Sequence, residues 1–179
     1  MPAVIGNRTH AKIALEMAHA DAKIRKGWKR LGRGASRVAL LHIETDVVYK
    51  VQTWGGNADN ESEYKNAREC RKLQWDRVRI PKMSIFRFDP KDKRRKSKEA
   101  VIAMEHVRGR YGESIPPTHF KAARKELFEK GGFGDMHGLN FKVTADRKIV
   151  PIDMGSERHG KGWNGPDDRL LTCGGGRNW

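Results

Sequence analysis

The stretch 30-RLGRGASRVALLHIETDVVYKVQ-52 opens with two closely spaced glycines, runs into two apolar, β-branched segments and places a lysine in the second. Gly32 and Gly34 read as a turn, and 38-VALLHI-43 and 47-VVYKV-51 as strands joined around Glu44, Thr45 and Asp46. Upstream, Ile13, Met17, Ala20, Ile24 and Trp28 recur at spacings of three and four, which predicts one helix over residues 8 to 28. Asn7 or Thr9 is its candidate cap and Gly27 marks its end. Downstream, 61-ESEYKNARECRKLQWDRV-78 reads as a charged helix with Tyr64, Ala67, Leu73 and Trp75 as its apolar positions. The strands 83-MSIFRF-88 and 100-AVIAMEHV-107 flank the basic run 91-KDKRRKSK-98, expected as an exposed hairpin tip. Pro116 and Pro117 open a helix to about Leu127, and short strands at 140–144 and 148–153 surround a turn at Ala145 and Asp146. Both strands and helices are expected, with no internal repeat and no long linker, and the expected class is α+β.

A chain of 179 residues has room for one compact unit with a real core. Lys and Arg number 37 against 22 Asp and Glu, a formal charge of +15, which favours acidic proteins, nucleic acid or polyphosphate ligands. Cys70 and Cys173 stand alone, giving neither a disulfide framework nor a paired zinc half-site, and this fits a reducing cytoplasm. No apolar run approaches the roughly 20 residues needed to cross a bilayer, so no membrane partner is expected.

The chemistry-bearing residues lie in 134-GDMHGLN-140 and 149-IVPIDMG-155. Asp135 and Asn140 have the spacing D-x-x-x-x-N, and a short hairpin then delivers Asp153 in D-x-G. Carboxylate and amide oxygens are hard donors suited to Mg²⁺. A chance gathering of surface Asp and Asn is the bland alternative, and the ordered motifs upstream weigh against it. His137 is expected to brace this loop by hydrogen bonding, and the scattered histidines give no zinc spacing. Lys50 on its own would be a strand lysine whose stem lies along apolar surface while its amine reaches water.

A glycine turn, a strand lysine, a helix glutamate and an Asp/Asn/Asp set occur here in one order, and that order resembles the protein kinase family over roughly residues 30 to 156. The G-D-x-H part is closer to small-molecule phosphotransferases and compact bacteriophage kinases, with Phe133 where a histidine would precede Gly134. The resemblance implies a minimal protein-kinase-like fold: a small antiparallel sheet lobe with its helix (the family's αC) and a truncated helical C-lobe. The segments are then an N-terminal helix (1–29), a nucleotide-binding lobe (30–107) and a reduced lobe with the catalytic loop (108–179).

It further implies ATP and Mg²⁺ as cofactors. Gly32 and Gly34 would cover the phosphates, Val38 would pack on the adenine, and Arg37 stands where the third glycine of the pattern would be. Lys50 would hold the α- and β-phosphates and pair with Glu63, with Glu61 as runner-up. In 102-IAMEHVRG-109, Met104 would line the back of the adenine pocket, and the backbones of Glu105 and Val107 would meet its edge. Asp135 would orient the acceptor hydroxyl, and Asn140 with Asp153 would bind Mg²⁺.

The expected activity is transfer of the γ-phosphoryl of ATP to a serine or threonine of a protein substrate that is acidic or associated with nucleic acid. The setting is the cytoplasm, that of the host if the chain is phage-encoded. Only 156-SERHGKGWNGPDDRLLTCGGGRNW-179 follows D-x-G, so recognition is expected to use a reduced surface. Two other readings stand beside it: a small-molecule phosphotransferase or nucleotidyltransferase on the same fold, and a basic nucleic-acid-binding module built on 91–98 and exposed tryptophans.

Overall fold

In the computed structural model the described residues are 4–19, 23–34, 36–53, 58–89, 99–132 and 138–155. The basic run 91–98, Asp135 and His137, and everything after Gly155 lie outside them. The elements, in chain order, are α1 (Arg8–His19), β1 (Trp28–Arg33), β2 (Arg37–His42), β3 (Val47–Gln52), α2 (Ala58–Cys70), β4 (Met83–Phe88), β5 (Glu99–Glu105), β6 (Arg110–Tyr111), α3 (Lys121–Gly131), β7 (Phe141–Val143) and β8 (Ile149–Pro151). The class is α+β.

Period-two runs of Val, Leu, Ile and Tyr make β2, β3 and β5 the centre of an antiparallel five-stranded sheet, ordered β1-β2-β3-β5-β4. Every residue of β3 is buried, because both faces of the sheet are covered there. Above it, α1 lays Ala11, Ala14, Leu15 and Ala18 against Leu40, Tyr49, Val51 and Val101. Asn7 caps this helix: its Oδ1 accepts the His10 N–H at 2.8 Å. Below it, a second cluster joins Val48, Ile102 and Met104 to Ala67 and Cys70 of α2, to Leu127 of α3, and to Phe141 and Ile149. One apolar core thus runs from the inner face of the sheet into a second, three-stranded sheet ordered β6-β7-β8.

The α2–β4 connection ties the two sheets together. Val78 bridges Ile149 in parallel, and the buried Glu126 of α3 accepts the N–H groups of Asp76 (2.8 Å) and Arg77 (2.9 Å). Its carboxyl is pushed up by burial, but Lys130 and those two N–H groups outweigh that and hold it below the usual range.

Several sequence expectations need correction. The first helix stops at His19, and Trp28 instead begins β1, because Gly27 at φ +83° turns the chain into the sheet. Ala20 lies outside the described residues. Residues 28–33 pair with β2 as a strand, so Gly32 sits within a ladder and Gly34 in the turn that follows. Helix α2 ends at Cys70 rather than near Val78; Leu73 is exposed, and Trp75 folds back to donate Nε1–H to the Cys70 carbonyl at 2.7 Å. The two prolines do not open the helix: Pro117 begins a short 3₁₀ turn, Pro117–His119, and α3 starts only at Lys121. Among the described residues no helix is long and apolar enough to cross a membrane.

Candidate functional site

Helix α2 is fastened to the sheet by polar side chains. Asn60, fully buried, donates Nδ2–H to the carbonyls of Lys50 (3.1 Å) and Ala100 (2.8 Å). Its first turn is thereby anchored on β3 and β5. Three residues on, the same helix face presents Glu63, which has no exposed surface. Lys50, 7% exposed, donates Nζ–H to Glu63 Oε1 at 2.5 Å and also to the Ile152 carbonyl. Glu61 faces elsewhere and takes Arg87 in a two-bond pair, 2.7 Å each. One further turn along α2, Asn66 donates to the Met154 carbonyl at 2.8 Å. A single helix face therefore grips the central strand and the D-x-G turn at once.

That turn leaves the β7–β8 hairpin. The Asn140 carbonyl accepts the N–H groups of Ile152 (2.8 Å) and Asp153 (3.2 Å), which sets Asn140 and Asp153 side by side. Asp153 Oδ1 accepts the Gly155 N–H at 3.1 Å. It also receives Arg37 Nη2–H at 2.5 Å, while Nη1–H of the same guanidinium goes to Glu63 Oε2. Burial pushes the Asp153 carboxyl up, but Lys50 and Arg37 more than offset this and hold it below the usual carboxylate range. Burial opposes the charge on Arg37 as well, and Glu63 and Asp153 overcome it, so its pKa stands above the ordinary value.

Beside this cluster a cleft of about 110 Å³ opens between β1, β2 and the segment after β5, with Leu31, Ala39, Val48, Met104 and Ile152 as its apolar walls. Gly32 and Val107 border it too. A Cβ added at Gly32 would meet nothing within 4 Å, so packing within the chain does not require glycine there.

One expected contact is not made. Val38 points to the opposite face, into the core under α1, and Ala39 takes the cleft position, because successive strand residues alternate faces. The Glu105 carboxylate pairs with Arg79 and accepts the Lys82 N–H, and the Glu105 N–H goes to the Lys82 carbonyl. Val107 does border the cleft, with its carbonyl taking Lys142 Nζ–H at 3.0 Å. Asp135 lies outside the described residues.

Tyr111 and Lys142 border the cleft without having been singled out by sequence. Lys142 lies 4.8 Å above the Tyr111 ring, and its burial lowers its pKa. The signal for Lys142 was present, since a strand starting at Asn140 puts residue 142 on the same face. Arg37 stood out in the sequence only as a departure from the glycine pattern, and its pairing with Glu63 and Asp153 was not foreseen.

Among the described residues no group of three His, Cys, Asp or Glu side chains forms a metal cage. The backbones of Asn140 and Asp153 are nevertheless joined by a hydrogen bond, and amide and carboxylate oxygens are the hard donors that suit a Mg²⁺ ion taking its remaining ligands from phosphate and water. No protein-family model matches the chain, and no curated protein matches it.

Proposed function

We propose that the chain is an ATP- and Mg²⁺-dependent phosphotransferase of protein-kinase-like design, moving the γ-phosphoryl of ATP to a protein hydroxyl. The observation that carries this reading is the Lys50 ammonium, buried at the cleft, held by Glu63 on α2 and by the Ile152 carbonyl next to Asp153. A buried ion pair contributes little net stability, so a strand lysine, a helix glutamate and a D-x-G turn converging on one point are better explained by a ligand than by the fold. The sheet order, with α2 inserted between β3 and β4, supports the same reading.

In this mechanism the apolar walls of the cleft take the adenine, and Lys50, kept in place by Glu63, binds the α- and β-phosphates. Asp153 and Asn140 would hold Mg²⁺, which when bound would supply neutralising charge to the phosphates. Asp135 orients the acceptor hydroxyl and takes its proton. An acidic protein partner is favoured by the net charge and by an open basin of about 670 Å³ where Arg77, Arg110, Arg147 and Lys148 outnumber Asp76 and Asp146.

The test is incubation of the protein with γ-labelled ATP, Mg²⁺ and a bacterial lysate, followed by mapping of labelled residues and intact-mass measurement. Phosphate on serine or threonine, lost with Asp153→Ala, is the expected result. A gain of the whole nucleotide mass would indicate nucleotidyl transfer. Absence of ATP binding together with tight nucleic-acid binding would favour the basic-module reading.

A further inference from the structure

Arg37 occupies an unusual position for a residue at the start of a strand facing an open cleft. Its guanidinium is only 15% exposed and spans both carboxylates of the site, Glu63 through Nη1 and Asp153 through Nη2. Gly155 makes room for it: a Cβ there would lie 3.2 and 3.4 Å from the two terminal guanidinium nitrogens. Glu63 already has Lys50, so the fold does not need a second cation on that carboxylate. Asp153 is different, because Arg37 is the cation hydrogen-bonded to it. Together Lys50, Glu63, Arg37 and Asp153 form a continuous chain of ion pairs with balanced charge.

A phosphotransferase cannot keep that arrangement with nucleotide bound. A divalent ion on Asp153 and a guanidinium hydrogen-bonded to the same carboxylate repel each other and compete for its negative charge. Phosphate supplies what the guanidinium would lose, since a planar fork of donors binds phosphate oxygens as well as it binds carboxylates. Arg37 is also placed to make the exchange. It sits just after the β1–β2 turn, where its carbonyl accepts the Gly34 N–H at 2.8 Å, and so belongs to the arm that borders the cleft.

We propose that Arg37 is a phosphate-binding residue of the nucleotide site which, before nucleotide arrives, acts as a tethered cation on Asp153. The inference rests on the phosphotransferase reading and adds an order to it. Nucleotide phosphates draw Arg37 off Asp153, and the freed carboxylate then accepts the divalent ion. Metal and nucleotide are thus coupled through one side chain, and by linkage each strengthens the binding of the other.

The experiment measures binding rather than turnover, on the full chain. Mn²⁺ alone is titrated by its paramagnetic signal, and ATP alone is titrated in EDTA by calorimetry, for the wild type, Arg37→Gln and Arg37→Lys. Removing the guanidinium should tighten Mn²⁺ binding at Asp153 and weaken metal-free ATP binding, each by about tenfold, the usual scale of such coupling. Asp153→Asn should abolish the Mn²⁺ gain when combined with Arg37→Gln. Arg37→Lys keeps the charge but cannot span both carboxylates, so it should fall between the other two. It also serves if Arg37→Gln fails to fold.

Unchanged or weaker Mn²⁺ binding in folded Arg37 variants would overturn the masking role, and unchanged ATP binding in EDTA would overturn the phosphate role. Both results leave the phosphotransferase reading standing if the wild type binds Mg²⁺-ATP. Failure of the wild type to bind ATP with any divalent ion would overturn that reading itself.

Discussion

Helices α1 and α2 flank the same five-stranded sheet and are held to it by opposite chemistry. The face of α1 is Ala11, Ala14, Leu15, Met17 and Ala18, closing over Leu40, Tyr49 and Val51 mainly by shape and burial, with Arg8 and His10 adding contacts at its first turn. The face of α2 is Asn60, Glu63 and Asn66, all buried, with Ala67 and Cys70 as its apolar part. Each of those polar side chains is hydrogen-bonded to β3, β5, Lys50, Arg37 or the D-x-G turn. Apolar packing tolerates exchange of one hydrophobic residue for another, whereas buried polar groups are costly unless each keeps its partner. The α1 side therefore carries stability and the α2 side carries geometry, at a cost that a ligand site explains.

The sharpest way to break this contrast is to truncate one buried residue on each side. Glu63→Ala leaves Lys50 buried without its carboxylate, and loss of one partner of a buried pair costs about 3–5 kcal/mol. Urea unfolding should register that loss, and ATP affinity should fall with it. Met17→Ala, on the fully packed α1 side, should cost about 3 kcal/mol through lost burial and the cavity left behind. ATP affinity of the folded fraction should stay at the wild-type value. If Met17→Ala weakens ATP binding as much as Glu63→Ala does, the division between the two faces is wrong.

The same contrast explains what the sequence disclosed. The β2–β3 hairpin lies within a residue of its expected limits, because β-branched alternation and the turn at 44–46 agree. The β7–β8 hairpin was legible for the same reason. Strand β1 was not, since 28-WKRLGR-33 mixes charge and glycine and is paired on one side only. The extent of α2 was obscured because its buried face is polar, so apolar periodicity drew the eye to Leu73 instead. Val38 and Ala39 were exchanged by a slip of one residue, which in a strand reverses the face. Arg37 stood out only as a departure from the glycine pattern, because its carboxylate partners lie 26 and 116 positions away in the chain.

Lys50→Met separates function from fold on the α2 side. The substitution keeps the stem and removes the charge, and Glu63 retains Arg37, so the unfolding midpoint should remain near that of the wild type. Phosphoryl transfer should fall at least about tenfold, the scale of one charge-assisted phosphate contact. Near wild-type transfer, measured with the same labelled ATP, would remove Lys50 from the site.

The smallest expected effect lies on the α1 side and depends on pH. His42 is buried on β2 with its ring 4.0 Å from that of His10 and 4.8 Å from that of Trp28, and Nδ1 lies 2.8 Å from Thr45 Oγ1. Burial first, and then the neighbouring His10, lower its pKa, while Glu44 acts weakly the other way. The folded protein thus holds His42 neutral at pH values where the unfolded chain, with an ordinary imidazole pKa of about 6.5, already binds a proton. Where the unfolded state binds more protons, stability rises with pH. Stability should accordingly decline as pH falls through about 6.5 toward the lowered folded value, and flatten below it. Urea unfolding of the wild type and His42→Gln at pH 8 and pH 5.5 reads this directly, because the two proteins differ only at that ring. The wild type should lose more stability over that interval than the variant does. Equal losses would mean that His42 is not kept neutral under α1, and the apolar character assigned to that face would then end at Trp28.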